Sequence, residues 1–539
     1  MILLSKYDAF RWHEKLSTYL KGYFYNENIS HEDIIEKMLG YEKLSQYTDL
    51  FSELNGEFAA CRETEDYIFA CSDYTRSFPL FYSVTKDAFI ISDSPDAIRR
   101  ILPTNSIDEK AMWELRISGT TFGDKTLYKE IKTLGSGEAL FYDKNTKELE
   151  IVEYIDFDPY NASDASPEEL LEEMKVTYDE AIEESLGHLQ DQTIVVPIKN
   201  GWWERILMDG IKRLGLKKVI LYSYGAKDHP NVEHGRKIAE YYGYPWHMIE
   251  YTPIEWFTWA IGKDYKKYVN YSTRYNSVPN IEEYLAIKAL KTKNIIPDDA
   301  ILLNVCFTGF LRGDMLPRVF LHEEKITDKI LHKEVLREIA SNVKWQRGDY
   351  IRQNQYINDI FRLPLANGDY EKKSVVWKFK YAYWKERVGK HSSNSRRMYE
   401  MFGYRWRNVQ IQKKITDFWS KVPHKMRYQG ILQNMYDKTY NQDLLDYLGC
   451  DPYPVRHKTE LDLMDKFSLK FPDLYRKYEF RKKSNKIRTA YDDDPLLWYN
   501  IISRRDFNRM RPEVSNILGV QSIKYIWSFL KENDFEIGG

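Results

Sequence analysis

The sequence predicts an α/β protein in two parts: a mainly antiparallel β part, then a parallel-sheet part that continues into a helical carboxyl-terminal region. Three observations predict it. Short β-type runs at 67–72, 80–84 and 88–92 are separated by polar turns. Between Ile194 and Tyr224 an apolar run, a turn at Gly201, a helical pattern and a second apolar run spell out a βαβ unit. From about 255 the pattern is mostly helical and rich in Trp and Tyr.

In chain order, residues 1–156 form the β-rich unit. Asp93-Ser-Pro95 reads as a helix start, with proline placed inside the first turn. Runs at 139–142 and 149–152, separated by a polar turn, predict a hairpin. Asp156 to Ser166 is polar, holds two prolines, and reads as a linker into the second unit, 167–539. A long helix is expected from Pro167 to about Leu189. The βαβ unit follows, with Ile206, Leu207, Ile211 and Leu214 at helix spacing. A helix near 232–242 and strands near 247–251 and from Ile301 continue the pattern. A basic stretch, Tyr475 to Arg488, reads first as a solvated helix face and second as a phosphate or nucleic-acid site.

Length and composition narrow the classes. At 539 residues, two or more cores are expected. Lys plus Arg total 79 and Asp plus Glu 81, so no global field draws the chain to nucleic acid or an anionic membrane. No apolar run reaches the roughly 20 residues of a membrane span, and no signal peptide is evident. Cys61, Cys71, Cys306 and Cys450 are scattered without a Cys-x-x-Cys pair, which predicts reduced thiols and a cytoplasmic protein. His229 and His234 are five apart, not a helix-face metal spacing, and no metal site is predicted.

Two stretches carry a family resemblance. Leu54-Asn-Gly-Glu-Phe-Ala59, Asp73 to Tyr82 and Ile91-Ser-Asp93 resemble the glutaminase-type domain of the asparagine synthetases. Val195-Val-Pro-Ile198 with its helix, Ser223-Tyr-Gly225, Asn394 to Trp406 and Asp417 to Pro423 are similar to the synthetase half, above all to relatives in bacterial surface-polysaccharide gene sets. The resemblance covers roughly residues 20 to 430. It implies an Ntn-hydrolase-type amino-terminal domain, then an ATP pyrophosphatase-like domain. It also implies the activity of an amide ligase: ATP and Mg²⁺ activate a small-molecule carboxylate, a sugar acid or amino acid, for attack by an amine.

On that alignment the nucleotide would meet Pro197, Ile198, Lys199, Asn200, Gly201, Trp202, Trp203, Glu204 and Arg205, with Tyr222, Ser223, Tyr224, Thr308 and Gly309. The contents of the turn depart from the family. Where the family reads Ser-Gly-Gly-x-Asp-Ser, this chain reads Lys199-Asn-Gly-Trp-Trp-Glu204, keeping one glycine. A phosphate loop needs backbone N–H groups free at a helix N-terminus, and a metal needs carboxylates. Trp203 replaces the metal-binding aspartate and Gly309 a second, while in a third motif Val409 replaces a proline and Gln412 an aspartate. Residue 2 is Ile, and no cysteine precedes Cys61, so no glutamine hydrolysis is expected. Three readings follow: an amide ligase with impaired adenylation, a non-catalytic pseudoenzyme serving as a binding or scaffold protein, or another chemistry using Glu204, Lys199 or Arg205. Trp202 and Trp203 read most simply as fillers of a vacated phosphate pocket, and Glu204 as a favourable first-turn charge.

Overall fold

The computed structural model describes residues 1–539 except 6–8, 27, 87, 158–161, 200, 228, 306–307, 314, 452–459 and 534–539. Asn200 and Cys306, and part of the expected linker, lie outside the described residues.

In the amino-terminal part a six-stranded antiparallel sheet runs in the order 149–153, 138–143, 67–72, 56–63, 18–24, 13–15. The expected hairpin is its edge, with Leu149 opposite Tyr142 and Val152 opposite Ala139. Alternation assigns its faces. Phe58, Ala60, Phe69 and Cys71 pack under helices His31–Leu39 and Leu44–Glu53, with Ile35, Met38 and Phe51. Their neighbours Ala59, Cys61, Ile68 and Ala70 turn to Phe81 and Ile91 of a second sheet. That sheet has four strands, in which Ile2–Leu3 joins Phe89–Ser92 in parallel and the remaining pairs are antiparallel. Helix Pro95–Ile101 lies on it, with Pro95 in the first turn and Ile98 buried.

The second part holds a five-stranded, all-parallel sheet. Its strands are β1 (Ile194–Pro197), β2 (Val219–Gly225), β3 (Trp246–Glu250), β4 (Ile301–Leu303) and β5 (Arg405–Arg407), in the order β3-β2-β1-β4-β5. Central β1 is covered on both faces: Val195 belongs to one core, Ile194 and Val196 to another. Strand β5 was not foreseen; three residues between helices give no period to read. Helix α1 (Pro167–Leu186) starts at a capping box of Ser166 and Glu169. It stops before Gly187, a turn short of expectation. Helix α2 (Trp202–Arg213) lies against it, and Gly210 permits the approach: a Cβ there would come within 2.6 Å of Ile182 Cδ1. Helix α3 (Pro230–Tyr242) follows β2.

The two parts share a core. One apolar cluster runs from Phe10 and Tyr82 through Val195 and Tyr251 to Phe529. Helix Ile517–Glu532 returns to pack on Glu109–Ser118, with Phe529 edge-on to Tyr128 at 5.5 Å. No helix among the described residues is long and apolar enough to cross a membrane.

Candidate functional site

Ligands of parallel sheets sit beyond the carboxyl ends of the strands. Here β1, β4 and β5 end side by side, bringing the turns after Pro197, Leu303 and Arg407 together. The turn after β1 is held by its neighbours. Ile198 N–H donates to the Tyr222 carbonyl (2.8 Å), and the Ser223 hydroxyl donates to the Ile198 carbonyl (2.6 Å) while accepting from Trp246 Nε1 (3.0 Å).

Gly201 caps α2 in an extended conformation and has no side chain to serve the first N–H groups. Glu204 lies over it. A Cβ on Gly201 would fall 1.8 Å from Glu204 Oε2, so the carboxylate rests against the glycine backbone at the positive end of the helix. Glu204 is only 8% exposed. The space in which a phosphate would meet this turn therefore already holds a carboxylate of the chain.

Trp202 and Trp203 are 3% and 2% exposed. Trp202 stands edge-on to Tyr178 (5.7 Å) and Tyr436 (6.2 Å), and Trp203 is tilted against Tyr178 (5.5 Å). Both indoles lie inside the second core, with no open face on which a base could stack. Arg205 grips buried Asp437 with two hydrogen bonds, Nε to Oδ1 at 3.1 Å and Nη2 to Oδ2 at 2.5 Å; Asn441 donates to the same carboxylate. This is a buried, two-pronged pair with its charge committed.

Lys199 faces the other way. Its Nζ donates to Glu282 at 2.5 Å and lies 4.8 Å over the Tyr224 ring. Burial alone would lower its pKa, but Glu282 and Glu283 outweigh that and raise it, so it remains a cation. Glu282 is lowered by the same pairing, against its burial. Adjacent Glu283 is raised by burial and by the Glu282 charge, and accepts from Tyr222 (2.7 Å), Tyr399 (2.7 Å) and Tyr224 (3.3 Å). His391 is brought down to about 3 by burial and is neutral. Sequence reading missed Glu282, Glu283 and Tyr399. The only signal was an adjacent Glu-Glu pair before helix Tyr284–Thr292.

At the neighbouring turns the polar side chains of Asn304 and Gln412 are neutral amides turned to partners of the chain. Asn304 donates to Ser395 Oγ (3.0 Å), and its carbonyl accepts from Gln410. Gln412 turns to α1, donating to the Ala181 carbonyl (2.5 Å) and Ser185 Oγ (2.6 Å). Thr308 and Gly309 open the short helix Thr308–Arg312. Among the described residues, no group of three or more His, Cys, Asp or Glu is placed to hold a metal ion. Among the described residues, those at these turns fit neither the pyrophosphate nor the Mg²⁺ of an adenylating site.

No family model matches the chain. No curated protein matches it either. Solved structures similar to it include one described as the allosteric regulatory enzyme of purine biosynthesis (11% identity, TM-score 0.19). Another is the glutamine phosphoribosylpyrophosphate amidotransferase from B. subtilis complexed with ADP and GMP (11% identity, TM-score 0.19). The alignments cover 45% and 57% of this chain and 62% and 60% of those chains, less than two thirds of their length. At that TM-score the likeness carries no argument about fold or activity.

Proposed function

We propose that this chain is a non-adenylating protein on an asparagine synthetase-like scaffold, serving as a binding or scaffold protein rather than an ATP-dependent amide ligase. The observation that carries the reading is the Glu204 carboxylate seated on the Gly201 backbone at the start of α2. An incoming phosphate would meet a negative charge there, and moving that charge also removes a favourable first-turn interaction. The burial of Trp202 and Trp203 and the pairing of Arg205 with Asp437 support the same reading.

The second reading is an amide ligase acting on a sugar acid or amino acid in the cytoplasm, in surface-polysaccharide synthesis. The placement of the turn between central β1 and α2, at the carboxyl ends of a parallel sheet, favours it. Carboxylate-dependent exchange of labelled pyrophosphate into ATP, tried over a panel of amino and uronic acids with Mg²⁺, separates the two. The proposal expects no exchange above background. Clear Mg²⁺-dependent exchange would sink it.

A further inference from the structure

The basic stretch near 475–488 is helix Pro472–Lys486, and one face of it closes a cavity of about 600 Å³ against residues 341–350 and Pro512. That volume suits a small organic ligand. The cavity lies outside the turns of the parallel sheet described above.

Its walls combine flat rings and cations. Arg476, 6% exposed, lies 3.5 Å over the Trp345 ring and 4.7 Å from that of Tyr350. Lys477 and Arg481, four residues apart and so on one helix face, line the opening. Among the described residues neither makes an ion pair, and Lys477 touches only the Tyr350 ring, at 5.5 Å. Carboxylates are near, but other cations hold them. Asp473, 3.4 Å from Arg476, is taken at 2.9 Å by Lys333; Asp349 is taken at 2.5 Å by Arg116. Glu513 faces Lys344 on the rim at 3.5 Å. Positive charge in the cavity thus exceeds what its own neighbours neutralise.

We propose that this cavity binds a phosphorylated small molecule that carries a ring: the ring lies against Tyr350 and Phe480, and the phosphate meets Lys477 and Arg481. Arginine and lysine at one opening suit phosphate oxygens, and aromatic walls suit the flat face of a base or sugar. Nucleoside phosphates and sugar phosphates share that chemistry.

The test is isothermal titration of the full chain, at about 0.15 M salt, with ADP, glucose 1-phosphate and inorganic phosphate. Two double variants are compared. Lys477→Ala with Arg481→Ala removes two charges at the cavity; Lys482→Ala with Lys483→Ala removes two from the same helix outside it. The expected result is that ADP or glucose 1-phosphate binds at least tenfold tighter than inorganic phosphate. The cavity pair weakens that binding tenfold or more, and the outer pair less than twofold. Preference between the two organic probes identifies the source of the phosphate. Absence of heat with all three probes overturns the proposal. So does equal loss in both double variants, or tighter binding of a single-stranded RNA that both variants weaken alike, since either marks a diffuse basic surface. Circular dichroism melts of both variants, expected to match the parent, exclude misfolding as the cause. ADP heat that survives in the cavity pair would instead place the nucleotide elsewhere, overturning this proposal separately from the one for the Gly201 turn.

Discussion

Glu57 and Arg396, 339 residues apart in sequence, form an ion pair from which solvent is excluded on both sides. Glu57 lies in strand 56–63 of the six-stranded sheet, and Arg396 precedes β5. Burial pushes the Glu57 carboxyl up and Arg396 opposes it, while the hydroxyls of Tyr23 (2.6 Å), Tyr25 (3.1 Å) and Ser77 (2.5 Å) donate to it. Breaking such a pair strands a buried charge, whereas replacing both members costs far less. Arg396→Ala is therefore expected to lower the unfolding free energy in urea by about 3–5 kcal/mol. The double change Glu57→Gln with Arg396→Met should recover most of that loss. Parent-like stability of Arg396→Ala would show that the pair does not join the two parts.

Glu138 gives a pH dependence. Burial by itself would raise its carboxyl, but Arg362 and Lys385, each 2.9 Å away, outweigh burial and bring it down to about 2 from an ordinary 4.5. A depressed carboxylate stabilises the fold above its unfolded pKa and loses that contribution as pH falls through the folded value. The window is thus from about 4.5 down to about 2, and the contribution is roughly 3 kcal/mol. Glu138→Gln should flatten the acid limb of a thermal-stability profile over that window. An unchanged limb would contradict the assignment.

Trp203→Ala tests the filling of the turn. Loss of a fully packed indole is expected to cost about 3–5 kcal/mol, read as a lower midpoint in urea at unchanged slope. A cost under about 1 kcal/mol would mean that the site is loosely packed and could open to a ligand.

Restoring the family loop tests the same turn from the other side. Lys199→Ser, Asn200→Gly, Trp203→Asp and Glu204→Ser, combined with Gly309→Asp, removes the carboxylate over Gly201 and returns metal ligands. Mg-ATP binding beyond that of the parent is the expected gain by calorimetry, at some loss of thermal stability. A restored chain that binds Mg-ATP no better than the parent would show that this turn is misaligned with the family's loop.

How much of this was legible in sequence follows from the range of the interactions. The strands at 194–197 and 219–225, the hairpin at 138–153 and the burial of both Trp residues were readable, because local period and residue type determine them. The partners of the turn were not. Lys199 finds Glu282 at a separation of 83 residues, and Arg205 finds Asp437 at 232. Nothing in a window of sequence marks such pairs, so Lys199 and Arg205 both read as groups open to recruitment. The same range hid the cavity beside helix Pro472–Lys486: its cations were plain, but Trp345 and Tyr350, which make it a cavity, come more than a hundred residues earlier.

The return of helix Ile517–Glu532 onto Glu109–Ser118 has a consequence for biosynthesis. Tyr128 packs against Phe529 and donates to Asn533, 405 residues further along the chain. A ribosome adding about 5–20 residues per second needs tens of seconds or more to supply that partner. During that interval helix Glu109–Ser118 lacks the helix that packs on it, and Tyr128 lacks Phe529. Every strand of the two amino-terminal sheets is made early, but this helix–helix contact waits until translation reaches the far end.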